Sequence, residues 1–371
     1  MESRNTSSSS VTRLEHFRSI EEVPGAEALE DRVDSYYHSR EGLLLAEQTN
    51  PGAISYLCVT SEAVRSVTVP MITATLQSRW VMGRPDHVHS IARASQQITG
   101  PLSGVESAEL LPSLVCGGRQ MGFSGPLPSI HRAGEERYSS DIQRLSVLLE
   151  DEAAARGCAS VSWPFVAAPK LRSALRDAGY SEYQSGVWHT LDSAHGFAGY
   201  LARLSGRRRR SVLAERRMLR REGYECEFRA VDEALVPQLA RLEYETLARH
   251  GVAWSPEISS YLLGVTSEHF GENVVASFVR RGQTVVAFCV FVRHGRALWP
   301  RHVGVEKADR RSAEALSESM FYQSIEGAYD SSCDVVNLGF GSDAYKRSHG
   351  TATFPHYSLT KQVSRRRSRA T

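Results

Sequence analysis

The sequence predicts a mixed α/β protein built as two tandem domains. Three observations carry this. At 371 residues the chain exceeds one typical domain and suits two. Apolar, β-branched runs alternate with amphipathic helical stretches in both halves. The last third, residues 274–361, reads strand, tight turn, strand, turn, strand, helix, and then a glycine-rich loop that carries a lysine. No clean sequence repeat relates the halves, so the duplication is inferred from element order.

Taken in order, residues 1–12 are Ser-rich and polar, which predicts a disordered tail and not a signal peptide. Residues 54–60 and 64–73 read as strands, with Ser61-Glu62 able to turn a hairpin between them. Residues 113–126 form a strand running into a glycine-rich bend. Residues 141–156 make a helix with Ile142, Leu145, Leu148 and Leu149 on one face. A short buried strand (159–165), a helix stopped by Gly179 (168–178) and a closing strand (186–191) complete a first domain, 13–195. A helix beginning at Phe197 is expected to run through an arginine-rich stretch to Gly223, with residues 200–222 as its basic part. Leu201, Leu204, Val212 and Leu219 mark its buried side, and Gly206 weakens it. Residues 232–250 are helical, and Ser255-Pro256 caps another helix. Strands at 274–279, 284–292 and 296–302 follow. A helix at 313–328, apolar all round, leads to strands at 335–339 and 357–361. The second domain is therefore placed at 196–362, with a basic tail at 363–371.

No apolar run approaches the ~20 residues that span a bilayer, so no membrane segment is expected and a cytoplasmic location follows. The six cysteines are scattered, with no two at zinc-ligand spacing. They read as buried reduced thiols, and no metal site is expected. The net charge of +2 hides a segregation. Residues 207–222 hold eight arginines and two glutamates, and residues 361–371 hold five basic groups and no acid, leaving the rest of the chain near −9. Such concentrated positive charge either meets phosphates or is a solvated helix face.

Three segments together carry a family resemblance. They are Tyr322-Gln323-Ser324-Ile325-Glu326-Gly327-Ala328, the loop Gly341-Ser342-Asp343-Ala344-Tyr345-Lys346-Arg347-Ser348-His349-Gly350, and His356-Tyr357-Ser358. They resemble the closing signature of N-acyltransferases of the Fem-like, peptidoglycan-bridge class, whose members have two GNAT-type domains. The entry Tyr200-Leu201-Ala202-Arg203-Leu204-Ser205 into the arginine run is similar to the same class, as is the stretch 112–125. The resemblance implies an α/β fold of two tandem GNAT-like domains, mixed sheets flanked by helices. It implies transfer of an acyl or aminoacyl group to an amine. Fem-like members take that group from aminoacyl-tRNA, and related natural-product enzymes pass it to a small amine or hydroxylamine. Two departures point away from a lipid-linked cell-wall acceptor: no long coiled-coil arm is evident, and Tyr345 stands where cell-wall members carry a hydrophobic residue beside the lysine.

The donor is the central question. An acyl-CoA enzyme of this type needs a glycine-rich turn opening a helix, whose backbone N–H groups bind pyrophosphate. Before the 313–328 helix stands Val305-Glu306-Lys307-Ala308-Asp309-Arg310-Arg311-Ser312, which has no glycine. Gly117-Gly118-Arg119 is a weak candidate in the first half. Aminoacyl-tRNA needs positive surface instead, and Arg207, Arg208, Arg209, Arg210, Arg216, Arg217 and Arg220 are candidates for it, with Arg221 beside them. The expected co-substrate is aminoacyl-tRNA, with no further cofactor, and the expected acceptor is a small-molecule amine. The alternatives are an acyl-CoA-dependent enzyme of the same fold and a nucleic-acid-binding protein without catalysis.

Aminolysis of an ester requires positioning, a proton acceptor and oxyanion stabilisation. Lys346 is a candidate partner for a phosphate or the oxyanion, or a solvated loop lysine. His302 and His349 are candidate proton acceptors, or structural. Asp343 either orients the amine or makes an Asx-turn. Tyr345 either lines the pocket or packs. Gly341 and His349 are candidates for substrate or tRNA contact in the same loop. Trp254, Tyr224 and Tyr244 either stack on a terminal adenine or pack in the core. With no nucleophile held by a base in the local sequence, direct transfer in a ternary complex is expected. Oligomeric state is not predicted.

Overall fold

Apolar runs too uniform to face water on either side dictate sheets covered on both faces, and a computed structural model has such sheets in each half of the chain. It describes residues 13–29, 35–50, 52–60, 67–78, 81–118, 123–127, 135–249, 252 and 254–363. The expected tail at 1–12, the Ser61-Glu62 turn and the basic tail from 364 lie outside the described residues.

The first half contains β1 (Arg13–Phe17), α1 (Arg40–Thr49), β2 (Ile54–Thr60), β3 (Val67–Ala74), α2 (Pro85–Ala94), β4 (Ser113–Cys116), α3 (Glu135–Ala155), β5 (Ser160–Val166), α4 (Pro169–Asp177) and β6 (Ser181–Asp192). The second half contains α5 (Gly196–Arg203), α6 (Gly206–Arg221), β7 (Tyr224–Ala230), α7 (Val236–Arg249), α8 (Pro256–Phe270), β8 (Val274–Arg281), β9 (Thr284–His294), β10 (Ala297–Val305), α9 (Ser312–Ser317), α10 (Gln323–Asp330), β11 (Val335–Gly339), α11 (Asp343–Ser348) and β12 (Ala352–Gln362).

These elements form two units. Among the described residues, one holds 13–186 together with 355–363 and the other holds 187–354. The expected boundary at 195/196 is corrected on two counts. The first crossing falls inside β6, between Gly186 and Val187. The chain then returns to the first unit between Phe354 and Pro355, inside β12. A linear reading places both crossings in loops, and here both lie within strands.

In the first unit β1–β4 pair antiparallel in sequence order, β4 and β5 run parallel, and β12 lies antiparallel to β5. Residues Ile142, Leu145, Leu149 and Ala153 of α3 pack with Leu114, Val161 and Trp163 of the sheet, which is the one-sided spacing of an amphipathic helix. Gly117, with φ of +80°, ends β4. A Cβ there would stand 2.7 Å from the Gly125 nitrogen and 2.8 Å from the Trp163 ring, so only glycine fits.

In the second unit the strand order is β6-β11-β10-β9-β8-β7. β8 and β9 are joined through Gly282 and pair antiparallel, with Arg281 opposite Thr284. Val285 to Val292 are all buried. Cys289 and Phe291 face a cluster with Phe321, Ile325 and Ala328. Phe288, on the alternate side, lies beneath α7 next to Gly304. Helices therefore cover both faces. Each buried aromatic or aliphatic side chain here contributes about 1.5–3 kcal/mol.

Two expected helices are interrupted. The predicted helix from Phe197 to Gly223 breaks at Leu204-Ser205. There the Ser205 hydroxyl accepts from the Arg208 N–H and starts α6 afresh. The 313–328 helix contains a π turn at Glu318–Tyr322 between α9 and α10, a feature frequent at functional sites. All six cysteines are free; five are buried and Cys226 is half-buried. Among the described residues no helix is long and apolar enough to cross a membrane.

Candidate active site and anion-binding helix

In the second unit β10 and β11 run parallel and pair only at Ala297–Val335 and Leu298–Val336. Beyond that point both strands bulge against their other neighbours. The ladder of β10 with β9 slips between Pro300 and His302, and that of β11 with β6 slips between Asn337 and Gly339. Bulges bend strands and re-aim side chains. Two parallel strands that stop pairing while both continue leave an opening between them. Asn337 sits at its base, donating to the Leu298 carbonyl at 3.2 Å and accepting from Trp188 Nε1 at 2.9 Å.

The glycine-rich loop leaves from this opening, and Lys346 defines it. The side chain is buried, and Nζ donates to the carbonyls of Leu338 at 2.7 Å, Gly339 at 3.1 Å and Phe340 at 2.7 Å. An ammonium has three donors, and all three are used. Lys346 therefore ties the loop to the end of β11, with no donor left for a phosphate or an oxyanion, which corrects the role expected for it. Burial pushes its pKa down to about 8. Gly341 has φ of +76° with open space around it, and Ser342 is also left-handed at +54°.

Asp343 makes no Asx-turn. Its carboxylate accepts from Nε2 of buried His189 at 3.1 Å, and Arg347 stands 3.8 Å away. The other His189 nitrogen meets Thr351 Oγ1 at 2.8 Å. Burial lowers the His189 pKa against the pull of Asp343, so a neutral ring joins the two groups. The Tyr345 hydroxyl meets Ser317 Oγ at 2.8 Å and its ring packs edge-on to Phe321. His349 stacks on Phe321 at 4.0 Å, and its Nδ1 lies 2.8 Å from the Tyr345 carbonyl. Burial pushes its pKa down to about 4. Tyr345 and His349 thus belong to an aromatic cluster that packs α11 onto the π turn.

His302 stands apart from that cluster. It lies on β10 just past the bulge, and its Nδ1 is 2.9 Å from Oε1 of Glu243 on α7. Both residues are buried, and His302 Nε2 has no hydrogen-bond partner among the described residues. Burial works against the Glu243 carboxylate, but His302, a hydrogen bond from Ser259 and the charge of Arg301 together bring its pKa down. The close approach of α7 depends on Gly304, where a Cβ would stand 2.8 Å from the Glu243 nitrogen.

The turn from β10 to α9 is where a backbone pyrophosphate site would form. Glu306 accepts from the Ala308 N–H at 3.3 Å, and Asp309 accepts from the Arg311 N–H at 2.7 Å and from the Tyr224 hydroxyl at 2.6 Å. Two carboxylates occupy N–H donors that a phosphate would need.

The arginines of α6 divide into two sets. Arg216 is buried, bonded to Glu318 and Glu326, with its guanidinium over the Phe197 ring. Arg208 pairs with Glu215 and donates to Tyr322 at 2.9 Å. Arg209 caps the carbonyls of Leu201, Ala202 and Leu204. These three hold the helix in place. Arg207, Arg210, Arg217, Arg220 and Arg221 are exposed. At 3.6 residues per turn, Arg207, Arg210, Arg217 and Arg221 share an arc of roughly 80° and span about 21 Å. Trp254 and Tyr224, considered above as stacking residues, bond to Ser259 and Asp309.

The sequence reading passed over Glu243 and His189, and quoted Glu306 and Asp309 only for the missing glycine of their turn. Only Glu243 left a signal: it sits four residues after Leu239, on the apolar stripe of α7, where a carboxylate is costly unless paired.

The FemAB-like family model, described as peptidoglycan biosynthesis and recognition, matches residues 129–370. No curated protein sequence matches the chain. Among solved structures, FemX is 10% identical with a TM-score of 0.57, over 94% of this chain and 96% of that one. A Bacteroides thetaiotaomicron protein of unknown function is 11% identical with a TM-score of 0.54, over 91% and 95%. A tandem GNAT protein from the clavulanic acid biosynthesis pathway is 10% identical with a TM-score of 0.51, over 95% and 99%. At these identities the likeness is one of fold. With two units of strand-and-helix order, parted parallel strands in the second, and a family match over most of its length, this chain is a tandem GNAT-fold protein that belongs to the FemAB-like family.

Proposed function

We propose that the protein is an acyltransferase that moves an aminoacyl group from aminoacyl-tRNA to the amine of a small-molecule acceptor. Membership of the FemAB-like family and the tandem GNAT fold support acyl transfer. The observation that carries the donor is the arginine stripe of α6. Its exposed guanidiniums match the extended phosphate backbone of an RNA and exceed what one compact phosphate group engages. The stripe sits on a helix whose inner arginines are committed to ion pairs, so its orientation is held. The carboxylates that fill the β10–α9 turn weigh against acyl-CoA. A binding protein without catalysis has no use for the parted strands and the buried His302–Glu243 pair.

The test is binding of the purified protein to total tRNA and to acetyl-CoA, each across a salt series. Salt-sensitive binding of tRNA, with none of the thioester, is expected. Transfer from tRNA charged with single amino acids to a panel of amines then identifies the donor. Binding of the thioester alone would overturn the proposal.

A further inference from the structure

Acyl transfer to an amine needs a group to take the proton of the attacking nitrogen. Resting on the acyl-transfer reading, we propose that His302 is that proton acceptor, acting through Nε2, and that Glu243 is its positioning residue.

The geometry separates His302 from the other histidines near the loop. His189 has both nitrogens engaged, by Thr351 and Asp343. His349 is held by a backbone carbonyl, with no carboxylate to stabilise its charged form, and burial has made it a weak base. His302 has one nitrogen held by a carboxylate at 2.9 Å and, like His349, the other without a partner among the described residues, so the carboxylate is what sets it apart. An ionised carboxylate only accepts, so the His302 nitrogen facing Glu243 carries a proton, and Nε2 is the nitrogen left to exchange one. Glu243 also stabilises the imidazolium once the proton arrives. The placement fits as well: His302 follows the bulge of β10, on the stretch where that strand has left β11.

The reaction balances on these groups. The amine lone pair forms the new C–N bond at the ester carbonyl carbon, and the carbonyl π pair moves to oxygen. His302 Nε2 removes one N–H proton from the tetrahedral adduct. The oxygen pair then re-forms the carbonyl and breaks the bond to the ribose oxygen of the tRNA terminus. That oxygen takes the proton back from Nε2. The products are an amide and a free tRNA hydroxyl, with His302 returned to its neutral state.

The experiment compares wild type, His302→Gln and Glu243→Gln in steady-state transfer, with imidazole nitrogens of the wild type followed by 15N NMR. His302→Gln is expected to lower kcat by about 10²–10³-fold, with KM within a few-fold. Glu243→Gln is expected to lower kcat by about tenfold at unchanged KM and to redistribute the His302 tautomer. The wild-type spectrum is expected to show His302 protonated at Nδ1. An active wild type whose kcat survives His302→Gln overturns the assignment, as does a neutral His302 protonated at Nε2. A wild type with the expected tautomer and no transfer from any acyl donor fails the functional reading instead, and the assignment falls with it.

Discussion

The two sets of arginines on α6 lead to opposite expectations for neighbouring residues of one run. Each guanidinium that neutralises a phosphate releases a counterion, contributing about 0.9 to the slope of log affinity against log salt. If Arg207, Arg210, Arg217 and Arg221 each meet a phosphate, the stripe supplies a slope of about 3.6. Replacing Arg207 and Arg210 with Ala should lower it by about 1.8. At 0.1 M salt each lost contact is worth about eightfold, so the pair costs roughly 60-fold in tRNA affinity. Arg208 is only one residue from Arg207, but its charge is matched by Glu215 at 3.1 Å. Arg208→Gln should leave the slope within about half a unit of wild type. Anisotropy of a labelled tRNA from 50 to about 300 mM KCl reads both quantities. Equal losses at Arg207 and Arg208 would refute the division of the helix, and an unchanged slope in the double variant would refute the stripe itself.

Two further expectations concern the loop. Lys346→Met removes a buried ammonium from three carbonyls, and after the desolvation of the charge is discounted this should lower stability by about 2–4 kcal/mol in urea unfolding; a variant as stable as wild type would return Lys346 to the list of catalytic candidates. His349 has a pKa of 6.5 in the unfolded chain and about 4 in the fold, so the unfolded state binds the extra proton between those values. Its share of stability is complete above pH 6.5 and is lost as pH falls to about 4, by up to about 3 kcal/mol. The acid sensitivity of His349→Gln, measured by unfolding at several pH values, should be weaker than wild type by that amount, and parallel profiles would contradict the burial argument.

What the sequence made legible follows from the range of the interactions involved. β8, β9 and the turn between them could be read because consecutive buried residues and a left-handed Gly282 are local signals. The cap at Ser255 and the stop at Gly179 are local as well. β1, α1 and α2 went unread: β1 is half-exposed and becomes a strand through pairing with β2. The domain boundary failed for the same reason, since β6 and β12 each cross between units without any change in local pattern. At the site, the loop around Lys346 was found from its glycines, but its chemistry was misjudged. Where an ammonium points depends on carbonyls that converge only once Gly339 and Gly341 have turned the chain.

The arginine run and the β10–α9 turn bear on the donor from different elements. A compact donor such as a nucleotide thioester is held best by backbone N–H groups converging on one pyrophosphate. An RNA is held by side chains spread along a surface, because its charge is distributed at intervals along a backbone. A chain can lose the first kind of site through substitutions that fill the donors, as Glu306 and Asp309 do here, without acquiring the second. It can equally carry a solvated basic helix without losing the first. Finding both in one unit, the turn tied to the end of the arginine run by Arg311 donating to Glu222, makes chance a poorer account than a single change of donor. The pair of observations is therefore stronger than either alone. It predicts that Glu306→Gly with Asp309→Gly would free the turn without changing tRNA affinity, while the arginine variants would remove tRNA affinity and leave the turn unchanged.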